Sequence, residues 1–226
     1  MVLSYKSLRC VLLLLAAAIA TSVHAHIVWD APIIDCDLVF CGVTEHNAIT
    51  QVTTGYEGLK IDHVGIAHRI GGDNGPLYII EARPQRGVCL TPLDSFVVAA
   101  MPHDTAQQLV MVVGRIVPTI DRKASIARAL HYVGRPYDDL FLPNDSAIYC
   151  SELVQLSIVD PQNRLVFAPI PMTFGDGTAQ VTPYWKEYYA RRGMQVPDGE
   201  PGTNPGELSR RPEVKIVHRI TDLSNW

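Results

Sequence analysis

Between Asp62 and Ala82 the chain passes through two apolar, β-branched segments, Asp62-His-Val-Gly-Ile-Ala-His-Arg-Ile70 and Leu77-Tyr-Ile-Ile-Glu-Ala82, with Gly71-Gly-Asp-Asn-Gly-Pro76 between them. Residues that accept positive φ or fix a turn, flanked by such runs, predict a β-hairpin and therefore an antiparallel sheet. In the first arm Val64, Ile66 and Ile70 fall on one face, and His63, Gly65 and Ala67 on the other. Glu81 is the odd residue of the second arm, because an inward carboxylate without a partner is costly. If the hairpin closes symmetrically about Gly72, Glu81 lies directly opposite His63, with Cβ atoms roughly 4.5–5.5 Å apart. A one-residue slip would send the two to opposite faces.

Further strands are expected at residues 37–41, 87–90, 110–116 and 214–220. Asp121 caps a predicted helix in which Ile126, Leu130 and Val133 recur at helical spacing, stopped by Gly134 and Pro136. A second helix opens near Cys150 and runs to about Val159, before Pro161, with Cys150, Leu153, Val154 and Ile158 on one face. The Pro- and Gly-rich stretch from Val196 to Pro212 reads as a surface loop, with a flap over a cleft as the alternative. With no repeat and no internal linker, the pattern implies one domain of α+β class.

The first 25 residues belong to a different argument. Lys6 and Arg9 precede the apolar run Val11 to Ala20, and small residues follow to Val23-His24-Ala25. This is the pattern of a secretory signal peptide cut after Ala25, leaving residues 26–226 as an exported, periplasmic or extracellular domain. The apolar run is shorter than the roughly 20 residues that span a bilayer. At 47% hydrophobic and 19% charged residues the chain can fill a core, which excludes a disordered tail. A formal charge of −4 without a basic run argues against nucleic acid as a partner. Cleavage removes Cys10 and leaves Cys36, Cys41, Cys89 and Cys150, each a disulfide candidate in an oxidising compartment. Cys36 and Cys41 cannot pair within one extended strand, since five steps of about 3.3 Å exceed the roughly 7 Å Cα limit.

A thiol attacks as thiolate, and a helix N-terminus with a neighbouring imidazole favours that form. A carboxylate behind the imidazole fixes its tautomer and steadies the imidazolium. Cys150, His63 and Glu81 supply those three parts. Glu152, third from the helix start, is read as support for the helix N-terminus. His68 is read as a structural sheet residue, because its odd separation from His63 puts the two on opposite faces. No Cys/His spacing of a zinc site is present, and no cofactor is expected.

Five segments taken in order, Asp37-Leu-Val-Phe40, Asp62-His-Val-Gly-Ile66, Tyr78-Ile-Ile-Glu-Ala82, Gly134-Arg-Pro-Tyr-Asp138 and Tyr149-Cys-Ser-Glu-Leu-Val154, resemble the motifs of the permuted papain-like amidases of the YiiX/YaeF type, within the NlpC/P60 superfamily. A looser likeness continues through Gly202-Thr-Asn-Pro-Gly206. The resemblance implies a circularly permuted papain-like fold, an antiparallel sheet packed against helices. It implies Cys150 as nucleophile, His63 as general base and then acid, and Glu81 as the orienting residue. Tyr137, Asp138 and Tyr149 are candidate substrate-binding residues. One departure is that Cys36 stands where the family commonly has glycine, before the Asp-Leu-Val-Phe strand.

The expected activity is amide hydrolysis through a thioacyl-enzyme, on a small peptide or lipid amide derived from cell-wall material or lipid. The same superfamily contains lecithin:retinol acyltransferase-like enzymes, whose cysteine motif is typically Asn-Cys-Glu-His, whereas this chain has Tyr-Cys-Ser-Glu. A secreted binding module that keeps the cleft is the non-enzymatic alternative. A copper site on an exposed N-terminal His26 is another, and it needs a second histidine in space.

Overall fold

The computed structural model describes residues 32–220, without 105, 144–145 and 178–179. The expected signal peptide and His26 lie outside those residues. At the centre is a six-stranded sheet of β1 (Leu38–Val43), β2 (His63–Arg69), β3 (Leu77–Arg83), β4 (Gly87–Pro92), β5 (Leu109–Ile116) and β8 (Val214–Ile220), in the order β4-β3-β2-β1-β5-β8. All pairings are antiparallel. Two short strands, β6 (Ile170–Pro171) and β7 (Pro201–Gly202), pair separately.

Helices cover both faces of the sheet. Leu38 and Phe40 of β1, with Val64, Ile66 and Ile80, pack against α3 (Cys150–Ser157), and α2 (Arg122–His131) lies against α3. Val39 and Cys41 join Ile79 under α1 (Leu93–Ala100), through Phe96 and Val97. A central strand buried on both faces reads as an unbroken apolar run, as Leu-Val-Phe-Cys does here. Fully burying each such side chain is worth roughly 1.5–3 kcal/mol relative to exposing it.

Two expectations are corrected. Asp121 does cap α2, its side chain accepting from the Ala124 N–H at 2.9 Å, but the helix ends at His131 and buries Ser125, Ile126 and Ala129. Leu130 and Val133 are exposed, because the face turned to α3 is one residue offset from the predicted stripe. The stretch from Val196 to Pro212 is not a surface loop over its second half. Gly202, Thr203, Pro205, Gly206, Leu208 and Ser209 are buried, and α5 (Pro205–Leu208) is capped by Asn204, which accepts from the Glu207 N–H at 2.7 Å. Besides α5, two helices went unread in the sequence, α1 and the aromatic α4 (Pro183–Ala190). Cys36 sits at φ 67, a left-handed backbone that favours glycine, in keeping with the glycine that the resemblance leads one to expect at that position.

Candidate active site

β2 and β3 pair with Ile66 opposite Ile80, so Gly65, not His63, stands opposite Glu81. The symmetric closure about Gly72 is therefore corrected. The turn is held by an Ile70 N–H to Pro76 carbonyl bond of 3.1 Å, two residues further along, and a two-residue shift keeps every side chain on its face. His63 and Glu81 become diagonal neighbours. Gly65 leaves the space between them open: a methyl there would fall 2.2 Å from Ile79 Cγ2 and 3.3 Å from Glu81 Cβ. Across this gap His63 Nε2 meets Glu81 Oε2 at 2.7 Å.

The same carboxylate oxygen accepts from Arg83 Nε at 2.7 Å, a partner the sequence reading missed although Arg83 shares Glu81's face by parity. Phe96 of α1 forms a wall against both cations, with its ring centroid 5.7 Å from that of His63 and 5.5 Å from the Arg83 guanidinium carbon. Glu81 has no exposed side-chain surface. Burial pushes its carboxyl up, but the hydrogen bond and charge of His63, with Thr91 and Arg83 adding, hold it below the usual carboxylate range.

On the other side of the imidazole is Cys150. Its approach is fixed from β4: the Val88 N–H donates to the Arg135 carbonyl at 2.8 Å, and the Ile148 N–H to the Pro136 carbonyl at 3.0 Å. Gly87, at φ 65, permits this approach, since a Cβ there would lie 2.1 Å from the Arg135 carbonyl oxygen. Glu152 accepts the Tyr149 N–H at 3.3 Å and closes the first turn of α3, so the nucleophile candidate stands at a well-formed helix start. The Cys150 thiol lies close enough to the His63 ring to favour its protonated form. With Nε2 held by Glu81, Nδ1 is the nitrogen left for sulfur. Burial opposes charge on the ring, yet the hydrogen bonds and charges of Cys150 and Glu81 prevail and raise His63 from 6.5 to about 9. Cys36, Cys41, Cys89 and Cys150 are all free thiols.

The structure thus brings Cys150, His63 and Glu81 together, with His63 hydrogen-bonded to Glu81 and neighbouring Cys150. A profile of the family described as permuted papain-like amidase enzyme, YaeF/YiiX, C92 family, matches residues 35–218. The chain belongs to that family. Its members are papain-like cysteine amidases, so this protein is an amidase of the hydrolase class. A crystal structure described as the metalloprotein YiiX from Escherichia coli O157:H7 shares the fold, with a TM-score of 0.61 and 24% identity, covering 84% of this chain and 99% of that one. No curated protein matches the chain. Among the described residues of this amidase, no three His, Cys, Asp or Glu side chains are grouped as metal ligands, and no helix is long and apolar enough to cross a membrane.

A cavity opens beside Cys150 of the amidase, and Tyr137 and Tyr149 line it. Asp138 does not. Its carboxylate accepts the N–H groups of Leu140 at 2.9 Å and Leu142 at 2.7 Å, and so shapes the loop that carries Phe141, at φ 52, into the cavity wall. The remaining wall comes from residues given no role in the sequence: Met172, Phe174 and Trp185 on one side, Thr203 and Asn204 on the other. Thr203 is tied to both neighbours of the nucleophile, its N–H donating to Tyr149 Oη and its carbonyl accepting from Ser151 Oγ, each at 3.2 Å. Asp62 also faces the cavity, clamped by Asn47 Nδ2.

Proposed function

We propose that this amidase is exported and cleaves an amide through a thioacyl-enzyme. His63 takes the Cys150 proton, and the sulfur attacks the substrate carbonyl. Collapse of the tetrahedral adduct breaks the C–N bond, and the imidazolium returns its proton to the leaving amine. Water, deprotonated by His63, then releases the acid and restores the thiol. Glu81 holds the ring's Nε2–H and offsets the charge of the imidazolium. The observation that carries this reading is His63 held to the buried Glu81 at 2.7 Å and placed beside Cys150 at the start of α3.

Two groups can donate to the developing oxyanion. The Cys150 N–H, at the start of α3, has no acceptor within its own helix. The Tyr137 phenol lines the cavity and is raised by burial and by the Cys150 charge, so it remains a donor at any working pH. The aromatic and aliphatic side chains of the wall favour an acyl part with an apolar body, from a cell-wall peptide or a lipid amide. Export is supported by the charged, apolar and small-residue regions of residues 1–25.

The test is to incubate the protein with fluorogenic acyl amides of both classes and to trap the acyl-enzyme by acid quench. A mass increase equal to the acyl group on the peptide containing Cys150, absent in Cys150→Ala, is the expected result. Turnover that survives Cys150→Ala defeats the proposal. Adding a second amine or alcohol separates hydrolysis from acyl transfer by the product formed.

A further inference from the structure

The cavity beside Cys150 carries an unusual balance of charge. Among the described residues that line it, Asp62 is the one carboxylate and there is no lysine, arginine or histidine. The positive groups of the site stand behind it, His63 Nε2 and Arg83 Nε both turned to Glu81. The charges that can face a ligand are therefore the Asp62 carboxylate and the sulfur of Cys150 once His63 has taken its proton.

Asp62 is held in place. Asn47 Oδ1 accepts the N–H groups of Ile49 and Thr50, each at 3.0 Å, which fixes the amide so that its Nδ2 donates to Asp62 Oδ2. Asn47 is the one side chain that donates to Asp62 among the described residues. The acid is half-buried, and burial pushes its carboxyl up against the opposing pull of the Asn47 hydrogen bond and of the His63 and Arg83 charges, neither of which is among its hydrogen-bond partners. Tyr137, Phe141, Phe174 and Trp185 line the same cavity. Aromatic faces attract organic cations, and the attraction grows as water is excluded.

We infer that this cavity accepts a substrate bearing an organic ammonium group, and that Asp62 is the residue that receives it. The inference builds on the amidase reading and names the substrate class for the same site: an acyl amide with an amine on its acyl side. An acyl part carrying a carboxylate there meets Asp62 as a like charge and is rejected.

Binding of non-hydrolysable amino alcohols tests this without turnover. By calorimetry at pH 6.5, L-phenylalaninol should bind the full-length protein at least tenfold more tightly than N-acetyl-L-phenylalaninol, as a charge-assisted hydrogen bond predicts. Nα-acetyl-L-lysinol separates a side-chain ammonium from a chain-terminal one, and preference for either over the fully acetylated compound supports the inference. In Asp62→Asn the ratio should collapse to within about twofold. Equal binding of amine and acetylated forms to the wild type, or an unchanged ratio in Asp62→Asn, overturns it. The wild-type ratio decides the matter even if the variant does not fold. Amine preference without hydrolysis of any amide removes the amidase mechanism and leaves this inference standing; hydrolysis without amine preference does the reverse.

Discussion

Replacing Glu81 with glutamine removes one negative charge and keeps an oxygen able to accept the His63 Nε2–H. The native ring is raised from 6.5 to about 9, a preference for the imidazolium of about 3 kcal/mol at 1.36 kcal/mol per unit. Cys150 and Glu81 each give one hydrogen bond and one charge to that total, against burial. Loss of the Glu81 charge should lower the ring by about one unit, the lower end of the usual effect of an adjacent opposite charge. The pH profile of kcat/KM for amide hydrolysis should then lose its alkaline limb near pH 8 instead of about 9, with a reduced maximum. Because thiol and imidazole titrate as a pair, the limb reports the pair and not the ring alone. Stability moves in the same sense. A raised His63 stabilises the fold fully below pH 6.5, and the contribution is lost as pH rises through about 9, so urea unfolding of the wild type should weaken between pH 6 and 10, and that of Glu81→Gln should weaken less. An alkaline limb at the same pH in both proteins would refute the role given to Glu81.

Other outcomes follow from the same geometry. Iodoacetamide at pH 7.5 should label Cys150 ahead of Cys36, pushed up to about 12 by burial and Asp35, and of Cys41, also pushed up by burial; peptide mapping that finds either labelled first contradicts the site. Gly65→Ala drives a methyl into Ile79 and should cost roughly 1–3 kcal/mol. Combined with Ile79→Ala, which deletes the struck atom, it should cost at least about 1 kcal/mol less than the two changes summed, as measured by denaturant unfolding. Cys36→Gly and Cys36→Ala both delete the thiol, yet the glycine variant should be the more stable by about 1 kcal/mol, because φ 67 penalises any Cβ; equal stabilities would count against strain at that position. Amide hydrolysis should survive exhaustive chelation, and loss of activity restored by one added metal would show that this chain, like its structural neighbour's description, involves a metal.

What was legible in the sequence is what period and capping encode. Alternation along each arm with an assumed closure about Gly72 placed His63 and Glu81 on one face, which the two-residue shift preserves, and the stop at Pro161 together with the inward pattern placed Cys150 at the start of α3. Register was not legible, because it depends on where the Ile70 to Pro76 turn closes, and several residues of the Gly-rich segment could close it. The rotation of α2 was missed because Leu130 and Val133 are apolar yet exposed, while Ser125 is buried with its hydroxyl accepting from the Val159 N–H at 3.0 Å. The cavity wall was hidden for a different reason. Thr203 reaches Ser151 across 52 residues and Asn204 pairs with Thr53 across 151, and a Pro-Gly-rich segment shows no local sign of such partners.

That contrast bears on how the site divides its work. Cys150, His63 and Glu81 stand on one helix and two adjacent strands, where ladder bonds and packing against Phe96 allow little movement. The surfaces that meet substrate come instead from the turn at Asn47–Thr53, the loop that Asp138 shapes, the α4 aromatics and the segment before α5. Attack geometry is set by the rigid part and tolerates errors of only about an ångström, whereas the identity of the acyl group is set by connections that can change without disturbing the sheet. A substitution such as Phe174→Leu should therefore shift KM between substrates and leave the pH profile in place, while any change at Gly65 or Glu81 should act on kcat and the profile together.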